Sequence, residues 1–310
     1  MQGELTRGKL IAILAVGAVA CGAVAWQLLG PQWTVTGVLA GPVIAFAGVV
    51  IVRSFTTPDA AVLLRNEKPA EAIAQLSGEL PGLRTLARIW PGQFRDALAS
   101  RLIVQSGALQ AAHRDEEALR TVEEAVAIYQ DLAAGRPGKY GSDLAGALDH
   151  QSHLLAGDDR LAEALTAIRV AVRLYRNLAA ADPGTYLPAL AECLTREAGW
   201  LADIDLTGDA LTAVHEATDI CQDKLPWRQV PSCAPRAMLL EGELLCGQAR
   251  YREAARLLAT GWSMAGAEHL HNLLRDAAPA VMAAYRADPD HFTAVWRAET
   301  GDELPGWLTE

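Results

Sequence analysis

The sequence is sparing in several residue types, and each shortage removes a class of protein. Five cysteines in 310 residues are too few for a disulfide-stapled secreted scaffold. No stretch sustains the period-two alternation of a half-buried strand, so no sheet is expected. Lys and Arg number 27 against 37 Asp and Glu, a formal net charge of −10. A binder of phosphate backbones needs clustered Lys and Arg, so nucleic acid is not an expected partner. Charged residues make up 21% and form no long run of one sign, which argues against wholesale disorder. The length allows one large domain or two smaller ones.

What is abundant is apolar side chain, 51% of the chain with a mean hydropathy of +0.12, and it is concentrated at the front. Residues 10–29 (LIAILAVGAVACGAVAWQLL) and 34–52 (TVTGVLAGPVIAFAGVVIV) carry no charge. Each is long enough to cross a bilayer as a helix. Gly30-Pro31 makes a reversal between them, and Trp26 and Trp33 flank it where indole rings favour the membrane boundary. Arg7 and Lys9 precede the first span, Arg53, Arg65 and Lys68 follow the second, and the connection has no charge. The expectation is a two-span hairpin in the cell membrane with both ends cytoplasmic. The four later cysteines, Cys193, Cys221, Cys233 and Cys246, show no paired pattern and suit a reducing compartment. Ala18-Val19-Ala20-Cys21 loosely resembles a lipoprotein cleavage box, which would place the remainder outside, but apolar sequence follows where a polar tether belongs. Gly37, Gly41 and Ala45 form a small-residue stripe for close helix packing in the membrane, against the first span or against another protein.

The rest repeats. Pro91, Pro137 and Pro183 stand at intervals of 46, opening PGQF, PGKY and PGTY. Glu71, Glu117, Glu163 and Asp209 keep the same step, and a step of 44 reaches Glu253. A period in this range signals a stacked array. Within one unit, Leu144, Leu148 and Leu155 mark one helix, while Ala164, Leu165, Ile168, Ala171, Val172 and Tyr175 mark the next. Ala156-Gly157-Asp158-Asp159 supplies the turn, and Asp182-Pro183 reads as an N-cap with proline at the first helical position.

These units resemble tetratricopeptide (TPR) repeats. That family's first-helix positions 4, 8 and 11 match Leu102, Ser106, Leu109; Leu148, Ser152, Leu155; Leu194, Ala198, Leu201; and Met238, Gly242, Leu245. Its second-helix positions 20, 24 and 27 match Ala118, Val122, Ala125; Ala164, Ile168, Ala171; Ala210, Val214, Ala217; and Ala254, Leu258, Gly261. The unit here is 46 residues where the family's common repeat has 34, and Gln130, Arg176 and Gln222 stand where it has proline. The extra residues are expected to lengthen the second helix. The alanine-rich units and the preference for Arg over Lys are similar in style to repeat proteins of high-GC actinobacteria. The expected fold is all-α: two transmembrane helices, then a TPR-like helix-turn-helix solenoid. The expected divisions are a cytoplasmic N-terminus at 1–9, a hairpin at 10–53, repeats over 54–265 and a helical cap at 266–310. Within that cap, a helix from Ala267 to Arg286 is expected to break near Pro279.

Chemical motifs are weak. Residues 3–9 resemble a phosphate-binding loop, but Leu10 replaces its final Ser/Thr and no strand precedes it. His215 to Asp219 resembles a zinc-protease helix with Asp in place of the second His. His150 and His153 are one turn apart but have no third ligand nearby in sequence. No nucleophile or acid–base pair stands out, so neither catalysis, cofactor nor metal is expected. The resemblance implies a concave groove lined by positions 2, 5, 9 and 12 of the first helices. Here that includes Ser100, Ile103, Asp149, His153, Glu192 and Thr195, with His150 and Arg196 at the edge. The Lys and Asn with which carboxylate-gripping members hold a C-terminal tail are absent. The expected function is a membrane-anchored scaffold or adaptor binding a protein or peptide at the cytoplasmic face. The alternative is an accessory subunit assembled through the hairpin, with an extracytoplasmic lipoprotein or an enzyme as remoter readings.

Overall fold

The computed structural model describes residues 60–224 and 233–309. The expected hairpin, with its Gly37, Gly41 and Ala45 stripe, lies outside the described residues, as does Cys21. Among the described residues no helix is long and apolar enough to cross a membrane. They contain helices and turns and no strand.

The helices are α1 (Ala60–Arg65), α2 (Pro69–Ile89), α3 (Pro91–Ala111), α4 (Asp115–Gly135), α5 (Pro137–Gly157), α6 (Leu161–Ala181), α7 (Pro183–Asp203) and α8 (Thr207–Asp219). A π-helical turn, Ile220–Lys224, continues α8. Then come α9 (Ala234–Gly247), α10 (Tyr251–Ala267), α11 (His271–Ala287), α12 (Pro289–Thr300) and α13 (Gly306–Thr309).

The 46-residue period now has a mechanical explanation. Helices α3 to α7 are 21 residues each, joined alternately by a three-residue turn and a single residue. The single residues Trp90, Arg136 and Asp182 have φ between −146° and −126° and ψ between 70° and 84°. Proline at the next position forbids the helical conformation to its predecessor, so one extended residue suffices to reverse the chain. Asp182 adds a true cap, its carboxylate accepting from the Thr185 N–H at 3.3 Å. The added length is therefore shared between both helices of a unit, and most of it extends the first. The second helix does run to within one residue of the next proline, as expected, and the remaining added residues precede the family-like positions of the following first helix.

The three-residue turns share one geometry. Glu67, His113, Asp159, Asp205, Ala249 and His269 all have φ between 56° and 60°. The following N–H of Lys68, Arg114, Arg160, Leu206, Arg250 and Leu270 reaches back five residues to a carbonyl at 2.9 Å. This is the Schellman arrangement, with a left-handed residue closing the helix end. Glycine occupies none of the six positions, although it suits that conformation best. Lys68, Arg114, Arg160 and Arg250 then pair with the carboxylate three residues on, at 2.7–2.9 Å. Leu206 and Leu270 break that series.

The chain divides into two units within α4, between Ile128 and Tyr129. In the first, α1 packs on α2 and α3, and α2 on α3. The buried Ser106 hydroxyl of α3 donates to the Ala118 carbonyl of α4 at 2.8 Å. In the second, successive helices from α5 to α12 pack in turn, with further contacts between α7 and α9, α9 and α11, and α10 and α12. The TPR-like positions lie inside: Ala164, Ile168, Ala171, Ala210, Val214, Ala217, Ala254 and Leu258 are all 0% exposed. Small residues there let helices approach while large neighbours fill the space between them.

Helix α11 runs unbroken through Pro279, contrary to the expected interruption. A proline removes one N–H donor and crowds one turn; Pro279 is exposed, so the carbonyl left without its helical donor lies within reach of water. Helix α12 begins, as expected, with Asp288 accepting from the His291 N–H at 3.2 Å. It ends at Gly301, in the left-handed conformation at φ 76°.

Candidate functional site

The expected groove residues lie on the first helices of successive hairpins. Ser100 is exposed and Ile103 half-buried on α3 of the first unit. In the second unit α5 carries Asp149, His150 and His153, and α7 carries Glu192, Thr195 and Arg196. Asp149 and Arg196 are joined directly, the guanidinium Nη1 donating to the carboxylate Oδ1. Both remain about a quarter exposed, at 26% and 28% of their side chains. The Cys193 thiol donates to the same carboxylate oxygen at 3.4 Å. The Ser152 hydroxyl donates to the Asp149 carbonyl at 2.6 Å, holding that turn of α5.

Around this pair the residues differ in reach. His153 is exposed, and His150, Glu192, Asp149 and Arg196 are half-buried. Burial lowers the pKa of His150, with His153 acting in the same direction, so the ring favours its neutral form. Thr195, expected on the groove, is only 2% exposed, and its hydroxyl donates to the Ala191 carbonyl at 2.8 Å. It offers a partner almost no surface, because α7 turns that position toward the neighbouring hairpin. Tyr175 of α6 stands behind the cluster: a Cβ placed on Gly146 would lie 3.4 Å from its hydroxyl. Burial pushes both the Tyr175 phenol and the Cys193 thiol upward, and the negative field of Asp149 adds to this, so both stay protonated.

A second set of polar contacts was not legible from single positions. Arg169 of α6 donates to Glu197 of α7 at 3.0 Å, and His215 of α8 meets Glu241 of α9 at 2.8 Å. Arg169 and His215 are one period apart, and Glu197 and Glu241 are 44 apart. The same link thus stitches successive hairpins, and the repeat offset was the signal that could have exposed it. Arg84–Glu124 in the first unit and Arg176–Glu216 in the second are likewise equivalent, at 2.7 and 2.8 Å. Hydrogen bonding to Glu241 raises the pKa of His215. His215 is therefore occupied structurally, between Glu241 on Nδ1 at 2.8 Å and Asp219 at 4.0 Å from Nε2. Among the described residues no group of three or more His, Cys, Asp or Glu is arranged to hold a metal ion. His269 and His271 are not on one helix, since His269 sits in the left-handed turn; their rings lie 6.2 Å apart.

No protein-family profile matches the chain, and no curated protein sequence matches it. Solved structures do. A variant of a kinesin light chain-like protein of Podosopora anserina, with nearly identical TPR-like repeats, aligns at TM-score 0.51 and 13% identity. That alignment covers 68% of this chain and 92% of the other. BtubC (BKLC) from P. vanneervenii aligns at 0.56 and 13%, over 85% and 93% of the two chains. The described chain therefore has a TPR-like helical-repeat fold, as its small-and-large residue pattern implied.

Proposed function

We propose that this protein is a membrane-anchored helical-repeat adaptor that docks a protein or peptide partner on the first-helix face of its repeats. The observation that carries the reading is the α5–α7 surface. Asp149, His150, His153, Glu192 and Arg196 present charge and hydrogen-bonding groups from consecutive hairpins at partial exposure, over a tightly packed apolar interior. Repeat arrays bind through such surfaces because successive units offer equivalent positions at regular steps. Ser100 and Ile103 are the equivalent positions on the first unit. The anchor rests on the two uncharged runs at 10–29 and 34–52. The flanking Arg and Lys favour a cytoplasmic repeat region. Anchoring confines a bound partner near the bilayer and raises its effective concentration there. No catalytic role is proposed.

Two measurements on the full chain in its native membrane test this. The first is protease treatment of intact cells and of opened spheroplasts, with a C-terminal tag to report cleavage. Protection until opening supports the topology; cleavage in intact cells overturns it and favours anchoring through Cys21. The second places a photo-crosslinker at His153 and, as a control, at exposed Arg173 of α6. Discrete adducts from His153 that vanish with Arg196→Glu support the docking face. Equal labelling from both positions overturns it.

A further inference from the structure

One apolar corner of the first unit has no part in the proposed docking face. Ile89 ends α2, and Trp90 is the single residue that reverses the chain into α3; they are 50% and 42% exposed. The Trp90 backbone is fixed at this corner. Its N–H donates to the Leu86 carbonyl at 2.8 Å, and its carbonyl accepts from the Gln93 and Phe94 N–H groups at 3.1 and 3.2 Å. The indole lies 6.3 Å from the half-buried Phe94 ring, tilted by 42°. Arg88, just before Ile89, is exposed. Residues 84–95 hold three arginines and no Asp or Glu, and Arg84 among them pairs with Glu124. The equivalent corners of the next two repeats read Gly135-Arg136 and Ala181-Asp182, without a large apolar side chain.

The fold also turns this corner toward the front of the chain. The turn at 66–68 folds α1 back along α2. Leu64 of α1 lies at the far end of α3, where a Cβ on Gly107 would stand 3.9 Å from its Cδ1. The start of α1 therefore points toward the Ile89–Trp90 end. At about 1.5 Å per residue α2 is ~30 Å long and α1 ~9 Å, so Ala60 stops roughly 20 Å short of the corner. Residues 53–59 can span at most about 25 Å. The uncharged run that stops at residue 52 can thus end level with Trp90.

We propose that the Ile89–Trp90 corner rests on the surface of the membrane that holds the anchor, among anionic phospholipid headgroups; this rests on the anchor proposed above. An indole favours the boundary between headgroups and hydrocarbon. Ile89 and Phe94 add apolar area to the contact. Arg88 sets its charge among anionic headgroups while its stem lies along the apolar layer. The first hairpin thereby gains a second hold on the bilayer, and the corners at Arg136 and Asp182, which lack the apolar pair, do not share it.

The test uses the full chain in vesicles of phosphatidylcholine and phosphatidylglycerol. The photo-crosslinking residue benzoylphenylalanine replaces Trp90 or, as a control, Arg136. Mass spectrometry is expected to find phospholipid adducts at position 90 and few at 136. Arg88→Glu should lower the yield at 90 at least about fivefold, the factor that one basic residue supplies at an anionic surface. Its melting should match the parent, because Arg88 is exposed. An alkaline carbonate wash separates the two readings. A chain that stays in the vesicles through the wash but gives no lipid adduct at 90 overturns the corner contact and leaves the anchor standing. Lipid adducts at 90 on a chain that carbonate strips away uphold the contact and overturn the anchor. A stripped chain without adducts overturns both. Equal lipid labelling at 90 and 136, or adducts at 90 to protein alone, overturns the contact.

Discussion

Within the second unit, the inner hairpins and the C-terminal end solve the same packing problem with different residues. Between α5 and α8 the interior is aliphatic and small: Ala164, Ala171, Ala191, Ala198, Ala210 and Ala217 are completely buried among Ile168, Leu194 and Val214. At the end, α10 to α13 close over one another with rings. Trp262 lies 6.2 Å from Trp296 and 5.4 Å from Trp307, and Phe292 lies 5.8 Å from Trp296 and 6.2 Å from Tyr285. An inner hairpin has a neighbour on each side and needs close approach. In the last described hairpins large rings fill the interior instead, covering apolar area with few side chains. The connections change too: α10 and α11 are joined by a three-residue left-handed turn, where the inner repeats use one extended residue before proline.

The junction between these two styles is α9–α10, and its two glycines leave no room for a methyl group. A Cβ on Gly242 would lie 2.6 Å from Leu258, and one on Gly261 would lie 3.0 Å from Leu239 and Met238. The inner repeats place Ser or Ala at the first position and Ala at the second. They pair these with Val or Ile, whose branch is nearer the backbone than that of Leu258.

The largest effect is expected from emptying the aromatic end. Phe292 is 1% exposed, and Phe292→Ala should cost about 3–5 kcal/mol, read as a lower denaturant midpoint. Its melting should begin with loss of Trp fluorescence, since the ring cluster at this end contains three indoles. Next comes overpacking at the junction: Gly242→Ala should destabilise by about 1–3 kcal/mol. Gly199→Ala, on α7 with nothing within 4 Å of the added atom, should be neutral or stabilising by about 0.5–1 kcal/mol. Equal effects at the two glycines would erase the contrast in packing.

Titration should separate the regions as well. Burial and the nearby Asp276 raise the Glu243 carboxyl to about 7, with Arg236 opposing, and the hydrogen bond to Glu241 raises the His215 pKa. Both groups bind their proton more tightly folded than unfolded. Stability from Glu243 is full below the ordinary carboxylate range and declines toward pH 7; that from His215 is full below about 6.5 and declines above it. The Tm should therefore fall as pH rises from 5 to 8, and Glu243→Gln should flatten the acid half of that slope. Glu163, Glu253 and Asp288, lowered by their arginine partners, act oppositely and only in acid.

Smaller changes probe the turns. Ala249 holds φ 59° with no side-chain compensation, so Ala249→Gly should stabilise by about 0.5–1 kcal/mol in a urea titration. Leu206→Arg would place a guanidinium three residues before Asp209, as in the equivalent turns, and should add about 0.2–0.5 kcal/mol. A loss there would show that the exposed Leu206 packs on something that the equivalent arginines do not need.

Much of the fold was readable because it is local and repeated. Prolines at 91, 137 and 183 start helices whatever surrounds them, and the alanines at 118, 164 and 210 recur at the spacing of a buried face. The site was less readable. Asp149, His150 and Arg196 were placed on the right helices from register alone, whereas the burial of Thr195 depends on how far α7 rotates against its neighbours. Unbroken α11 was missed because a proline's cost depends on whether its turn faces water.

Sequence alone determined the period, the helical class, the small and large positions of the interior and the two uncharged runs at the front. These follow from backbone sterics and hydrophobic spacing, which act over a few residues. Tertiary structure alone decided that Arg196 meets Asp149 and that His215 meets Glu241. Those contacts depend on the distance and rotation between packed helices, which no short stretch of chain encodes.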